Sequence, residues 1–117
     1  MTTLEVADQY YKLAKEGKWS KIHDKLYSED VWSIEAPIAQ QPPAQGLHAV
    51  RNKGIEWSAN IKEVHGGYCK EPIVAGTHFS CAMGTEYTDT KDQKRQLDEI
   101  GVFEVKEGKI VKEQFFY

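Results

Sequence analysis

Cysteine is scarce in this chain: Cys69 and Cys81 are the only two among 117 residues. That is too few for a disulfide framework, and without an export signal both are read as reduced thiols. No run approaches the roughly 20 apolar residues that a membrane helix needs. The first eight residues, Met1 to Asp8, have neither a basic segment nor an apolar one. A secretion signal is therefore not expected, and a soluble, cytoplasmic protein is. Charge of one sign is also lacking. Fifteen Lys and Arg face eighteen Asp and Glu, a net charge of −3. Such a balance gives no electrostatic footprint for nucleic acid or an anionic membrane. Repeats, low-complexity segments and linkers are absent, so the chain reads as one domain over residues 1–117. Disorder is excluded by what is there: 40% hydrophobic and 11% aromatic residues, enough for a core.

Periodicity gives the element order. Thr2 and Glu5 form a capping-box pattern, and Val6, Tyr10, Leu13 and Ala14 follow at helical spacing up to Gly17, which predicts a helix over 3–16. Trp19, Ile22 and Leu26 mark a short second helix, and Tyr27 to Asp30 reads as a polar break. Val31 to Ala36 alternates as a strand. Pro37, Pro42 and Pro43 mark a loop. Leu47, Val50, Gly54, Trp57 and Ile61 step by three and four as one face of a third helix. The rest reads as β. A short strand, Val64 to Cys69, is interrupted by a bulge at Gly66-Gly67. Long strands follow over Ile73 to Tyr87 and Arg95 to Val105. A tight turn at Glu107-Gly108 leads into Lys109 to Tyr117. Helices on one face of an antiparallel sheet define an α+β domain. Strands this long must twist, so the sheet should curl around the helices and enclose a pocket.

Several segments resemble a known family. They are Tyr10-Tyr11 and Gly17-Lys18-Trp19; Tyr27-Ser28-Glu29-Asp30-Val31-Trp32; Gly46-Leu47-His48-Ala49-Val50-Arg51; and Val105-Lys106-Glu107-Gly108-Lys109-Ile110-Val111. In order and spacing they resemble the NTF2-like (cystatin-like cone) superfamily and its SnoaL-like group, which includes ketosteroid isomerase, scytalone dehydratase and polyketide cyclases. The resemblance implies a strongly curved antiparallel sheet with three helices. It is nearly silent on activity, because the fold hosts many. The positions of the isomerase's general base and oxyanion-hole aspartate hold Ala36 and Gly101 here. Only its tyrosine has a counterpart, Tyr10.

The resemblance implies that Ala36 and Gly101 face the cavity and that Gly84 to Tyr87 is the family's turn entry; strand parity from these, and from Gly108 for the last strand, predicts the pocket lining. Trp32 and Ile34 come from the first strand, and Phe79, Cys81 and Met83 from the third. Leu97, Glu99 and Phe103 come from the fourth, Glu113, Phe115 and Tyr117 from the last, and Tyr10 and Trp57 from the helices. Gly54 would leave room beside the cavity. Two carboxyls in apolar surroundings have raised pKa values and suit general acid/base work. The expected catalytic residues are thus Glu99, Glu113 and Tyr10. The expected ligand-binding residues are Trp32, Ile34, Trp57, Phe79, Cys81, Met83, Leu97 and Phe115, acting on an apolar or aromatic small molecule. A register shift by one would put Asp98 and Gln114 in the places of the two glutamates. Glu35 is a further candidate near the mouth, and His65 is one if its side chain faces the cavity. No cofactor motif appears. A zinc site from His65, Cys69, His78 and Cys81 is disfavoured because His78 and Cys81 point to opposite faces of a strand. Phe116 on the outer face, with the family's frequent pairing there, suggests a homodimer. The alternative to an enzyme is a non-catalytic binding module, favoured if the cavity is filled by the protein's own side chains.

Overall fold

The computed structural model describes residues 1–117, and its elements follow from the sequence pattern with three adjustments. Helix α1 spans Thr3–Lys15. Glu5 N donates to Thr2 Oγ1 at 3.1 Å and Thr2 N donates to Glu5 Oε1 at 2.9 Å, closing the capping box. Val6, Ala7, Tyr10 and Ala14 form its buried stripe. Helix α2, Trp19–Leu26, buries Ile22 and Leu26, whereas Trp19 remains 46% exposed. Helix α3, Leu47–Ala59, buries only Val50. Its second half is mostly exposed but meets the sheet through Lys53, at Ser33, and through Trp57, at the Tyr87 ring.

The strands are β1 Tyr27–Ile34, β2 Ala44–Gln45, β3 Ile61–Cys69, β4 Ile73–Ala75, β5 His78–Asp89, β6 Lys94–Lys106 and β7 Lys109–Phe116. They form one sheet in the order β2-β1-β7-β6-β5-β3, with β4 also paired to β5. The helices cover the concave face, where Val31, Phe79, Cys81, Phe103 and Ile110 join Val6, Tyr10 and Ile22 in one core cluster. No helix is long and apolar enough to cross a membrane.

The first adjustment concerns β1. It pairs parallel to β7, so the sheet is mixed and not wholly antiparallel. The expected polar break, Tyr27 to Asp30, is the start of this strand. Its pairing with β7 jumps register between Tyr27 and Trp32, so the polar residues loop out of the ladder without ending the strand. Second, the expected long strand over Ile73 to Tyr87 is two strands. Gly76 (φ +57°) turns the chain back with Thr77, setting Ala75 opposite His78. Third, Ile61 opens β3 and does not close α3. The anticipated irregularity at Gly66 is present: β3 carries register shifts between Ile61 and Glu63 and between Val64 and Gly66. At the β6–β7 turn, Glu107 (φ +50°) and Gly108 (φ +75°) are both left-handed, as a two-residue hairpin of this twist requires.

Candidate acid/base site

The closed end of the cone is filled by its own side chains. Phe79 stacks on Phe103 with centroids 4.7 Å apart, and Tyr10 lies 4.6 Å from Phe103 and 5.7 Å from Phe79. The Tyr10 hydroxyl donates to Met83 Sδ at 3.7 Å. The space above Gly101 is occupied as well, since a Cβ there would sit 2.9 Å from the Phe103 ring. Phe79, Cys81 and Met83 lie on the inward face of β5, all buried. With Tyr10, which is 2% exposed, they form core and not the wall of an open chamber. Burial pushes the Tyr10 phenol well above its ordinary value, with the Glu113 charge adding to it.

Toward the open end the interior becomes polar. Glu113 of β7 is only 3% exposed. Its Oε1 accepts a hydrogen bond from the Tyr27 hydroxyl, and its Oε2 accepts one from Ser33 Oγ at 2.6 Å. Lys53 of α3 donates to Ser33 Oγ and, at 2.6 Å, to Glu35 Oε2. The Tyr117 hydroxyl donates to Glu35 Oε1 at 2.8 Å. In this chain each hydroxyl passes its one proton toward a carboxylate, and Lys53, which has donors only, starts it. Burial raises the Glu113 pKa, while the Ser33 and Tyr27 hydrogen bonds and the Lys53 charge oppose the rise. Both oxygens accept hydrogen bonds from hydroxyls.

Glu99 is treated differently. It projects from the same face of β6 as Gly101 and Phe103, is partly buried, and has no hydrogen-bond or ion-pair partner. Its pKa is pushed up to about 7, first by burial and then by the negative charges of Glu35 and Glu113, against a smaller opposing pull from Lys53. Beside it, Phe115 is partly buried, meets Phe103 edge-on at 6.3 Å, and lies under Lys53 Nζ at 5.5 Å. Leu97 continues the partly buried face of β6 toward the rim.

Two expected lining residues are corrected. Trp32 is 44% exposed and Ile34 lies beside it in parity, while Val31 and Ser33 are the buried pair on β1. The count from Ala36 failed because β1 ends at Ile34. Ala36 is buried as the cap of a 3-10 turn over Pro37–Ala39, not as a strand residue. Tyr10, expected to be catalytic, is sealed beneath Phe79 and Phe103. Trp57 stands at the rim, 39% exposed, with its ring edge-on to Tyr87 at 5.7 Å. A Cβ at Gly54 would meet nothing within 4 Å, so no tight helix–sheet contact exists there. His65 is exposed and engages Thr88 Oγ1 at 2.6 Å. Sequence parity missed Tyr27, Ser33 and Lys53. Lys53 had a readable signal: it sits three residues after Val50 and four before Trp57, on the helix stripe assigned to the interior.

A helix-covered, curled sheet with carboxylates gathered at its open end defines a class of small α+β cone domains. Within that class the chain belongs to the SnoaL-like domain family, whose model matches residues 1–117. No curated protein matches it. Among solved structures, a Mesorhizobium loti protein provisionally assigned as a SnoaL-like polyketide cyclase is 33% identical, with all of both chains covered and a TM-score of 0.92. An NTF2-like protein of unknown function from Burkholderia pseudomallei shares 14% identity over 98% of this chain and 89% of its own, with a TM-score of 0.77. A Catenulispora acidiphila protein with a ketosteroid isomerase-like fold, solved with trimethylamine, shares 13% over 97% and 85%, with a TM-score of 0.74. The last two likenesses concern the fold.

Proposed function

We propose that the protein performs acid/base chemistry on an apolar or aromatic small molecule, of the isomerisation, dehydration or cyclisation type, with Glu99 moving the proton. One observation carries this reading: Glu99 is partly buried on the same face of β6 as Phe103, has no hydrogen-bond or ion-pair partner, and has its pKa pushed up to about 7. A carboxyl with that poise takes and returns a proton near neutral pH. Glu113 is the held carboxyl of the pair, its pKa raised by burial. Its oxygens are occupied by Tyr27 and Ser33, and its charge helps hold Glu99 partly protonated. The ligand would lie over Phe115 and Leu97, toward Trp57. A carbon-13 titration of the glutamate carboxyls tests the assignment. One carboxyl should titrate near 7 and vanish in Glu99→Gln. If every glutamate titrates near the usual 4.3, the mechanism loses its central residue.

The alternative, a non-catalytic binding module, draws support from the filled closed end and from the outer sheet face. There Ile100 and Phe116 are register partners, each about half exposed (51% and 50%), with Trp32 on the same sheet. Apolar surface of this kind suits a second copy of the chain. We propose a homodimer through this face for either reading.

A further inference from the structure

The acid/base reading uses neither cysteine. Cys69 closes β3, the edge strand of the sheet, and faces Met83 of β5 in register. Lys70 N donates to Ala82 O at 2.9 Å. Lys70 and Ala82 are therefore a hydrogen-bonded pair, and Cys69 and Met83 are the close pair beside it, with Cβ atoms about 4.5–5.5 Å apart. Cys81 precedes Met83 by two residues and projects from the same face. The right-handed twist of the strands leans it toward Cys69, and the two thiols are hydrogen-bond partners. Cys81 and Met83 are buried, whereas Cys69 packs against the same core from its edge and stays partly exposed. The Tyr10 hydroxyl joins them: it donates to Met83 Sδ and feels the charge of both thiols. Two thiols and a thioether thus meet beneath α1.

The spacing selects among the things a thiol pair does. Diagonal neighbours on paired strands have Cα atoms about 7–8 Å apart, beyond the roughly 6.8 Å that a disulfide spans. An ion between the sulfurs needs less approach. Two metal–thiolate bonds of about 2.3 Å hold sulfurs about 4 Å apart, a separation open to thiols already in contact. No group of three or more His, Cys, Asp or Glu side chains gathers in this chain, so the four-ligand set that zinc prefers is not formed. His65 and His78 are exposed and engaged by Thr88 and Thr77. Ligation by thiolate and thioether alone selects a soft ion, and monovalent copper is the one it suits. The exposed edge of Cys69 gives the ion a way in. The Lys15 charge, felt at Cys69, offsets the single negative charge of a copper dithiolate. Met83 is unbranched and adaptable, and its sulfur keeps a second lone pair beside the one that accepts from Tyr10.

We propose that Cys69, Cys81 and Met83 form a three-sulfur site for one monovalent copper ion. Each thiol releases its proton as its sulfur bonds the ion, so two protons leave for each ion that enters and no oxidation state changes.

Anaerobic titration of the reduced protein with copper(I), against a chromophoric copper(I) chelator, tests this. Wild type should take up one equivalent and develop the ultraviolet thiolate-to-copper absorption band. The Met83 methyl signal should shift in NMR while that of Met1 stays in place. Cys69→Ser and Cys81→Ala should each lose the band and bind more than about 10²-fold more weakly, since loss of an outer-shell partner alone costs up to that much. Met83→Leu keeps the core filled and should retain the band but bind about 10-fold more weakly. It reports on the site even where circular dichroism shows a cysteine variant to be unfolded. No uptake by wild type, uptake unchanged in a folded cysteine variant, or a Met83 methyl that does not respond overturns the proposal. Ready closure of a Cys69–Cys81 disulfide by dilute peroxide also overturns it, because the sulfurs would then stand closer than a bridging ion requires.

Discussion

Glu99→Gln should make this protein more stable above neutral pH. In the folded chain the carboxyl is pushed from its ordinary 4.5 up to about 7. The folded state therefore holds the proton more tightly than the unfolded chain does. Below pH 4.5 both states are protonated, and the group costs nothing. Between pH 4.5 and 7 the unfolded chain releases its proton first, so folding loses stability as pH rises. Above 7 the loss is complete, at about 3 kcal/mol if the whole shift is expressed. Part of Glu99 remains in water, so screening reduces the expected figure to roughly 2 kcal/mol. Glutamine keeps the shape without the charge. Urea unfolding of both proteins between pH 4.5 and 8.5 measures the difference. The curves should agree at the acid end and separate to about 2 kcal/mol at pH 8, or roughly 8 °C in Tm for a chain of this length. A difference that does not vary with pH, or a Gln variant weaker than wild type at pH 8, would refute the burial and charge argument for Glu99.

Other perturbations separate the parts of the site. Tyr27→Phe removes one of the two hydroxyls on Glu113 and should cost about 1–3 kcal/mol in chemical unfolding at pH 7, while raising the Glu113 pKa still further. Gly54→Ala and Gly101→Ala should move in opposite directions. The first adds a methyl in open space within α3 and should gain about 0.5–1 kcal/mol. The second drives a Cβ to 2.9 Å from the Phe103 ring and 3.1 Å from the Met83 methyl and should lose about 1–3 kcal/mol, both read from thermal unfolding. Ile100→Lys with Phe116→Lys should turn a dimer into a monomer by analytical ultracentrifugation, with near-unchanged circular dichroism. A dimer that persists in the double variant places the interface elsewhere.

The fold was legible where a periodic pattern and a backbone requirement agreed. Thr2 and Glu5 fixed the start of α1. The stripe from Leu47 to Trp57 located α3, and Glu107-Gly108 located the last turn. On β5 and β6 the alternation ran unbroken across eleven paired positions, from His78 with Glu104 to Thr88 with Lys94, so parity counted from positions that the family resemblance supplied put Phe79, Cys81, Met83 and Glu99 on one side. On β1 the same counting failed. The strand ends at Ile34 and Ala36 is the cap of the following 3-10 turn, so a count from Ala36 inverted Trp32 and Ser33. The hydrogen-bond chain was illegible for a related reason. Tyr27, Ser33, Lys53 and Glu113 come from three elements far apart in sequence, and nothing local in any one of them records the other two.

One ammonium among three carboxylates explains why Glu99 and not Glu113 or Glu35 is left reactive. Lys53 reaches Glu35 directly and Glu113 through Ser33. The two tyrosines complete the shells, Tyr117 on Glu35 and Tyr27 on Glu113. Every strong donor in that part of the interior is then committed except the third N–H of Lys53, and Glu99 has no partner. A carboxyl deprived of donors and set beside two anions can ease its situation only by holding a proton. The charged chain thus stabilises two glutamates at the expense of the third. Burial raises the Glu99 pKa most, and the neighbouring carboxylates of the chain add to it. It follows that Lys53→Met should raise the Glu99 pKa as well as remove a donor, because the ammonium is the group that lowers it. A Glu99 carboxyl resonance that titrates lower in that variant would refute this direction.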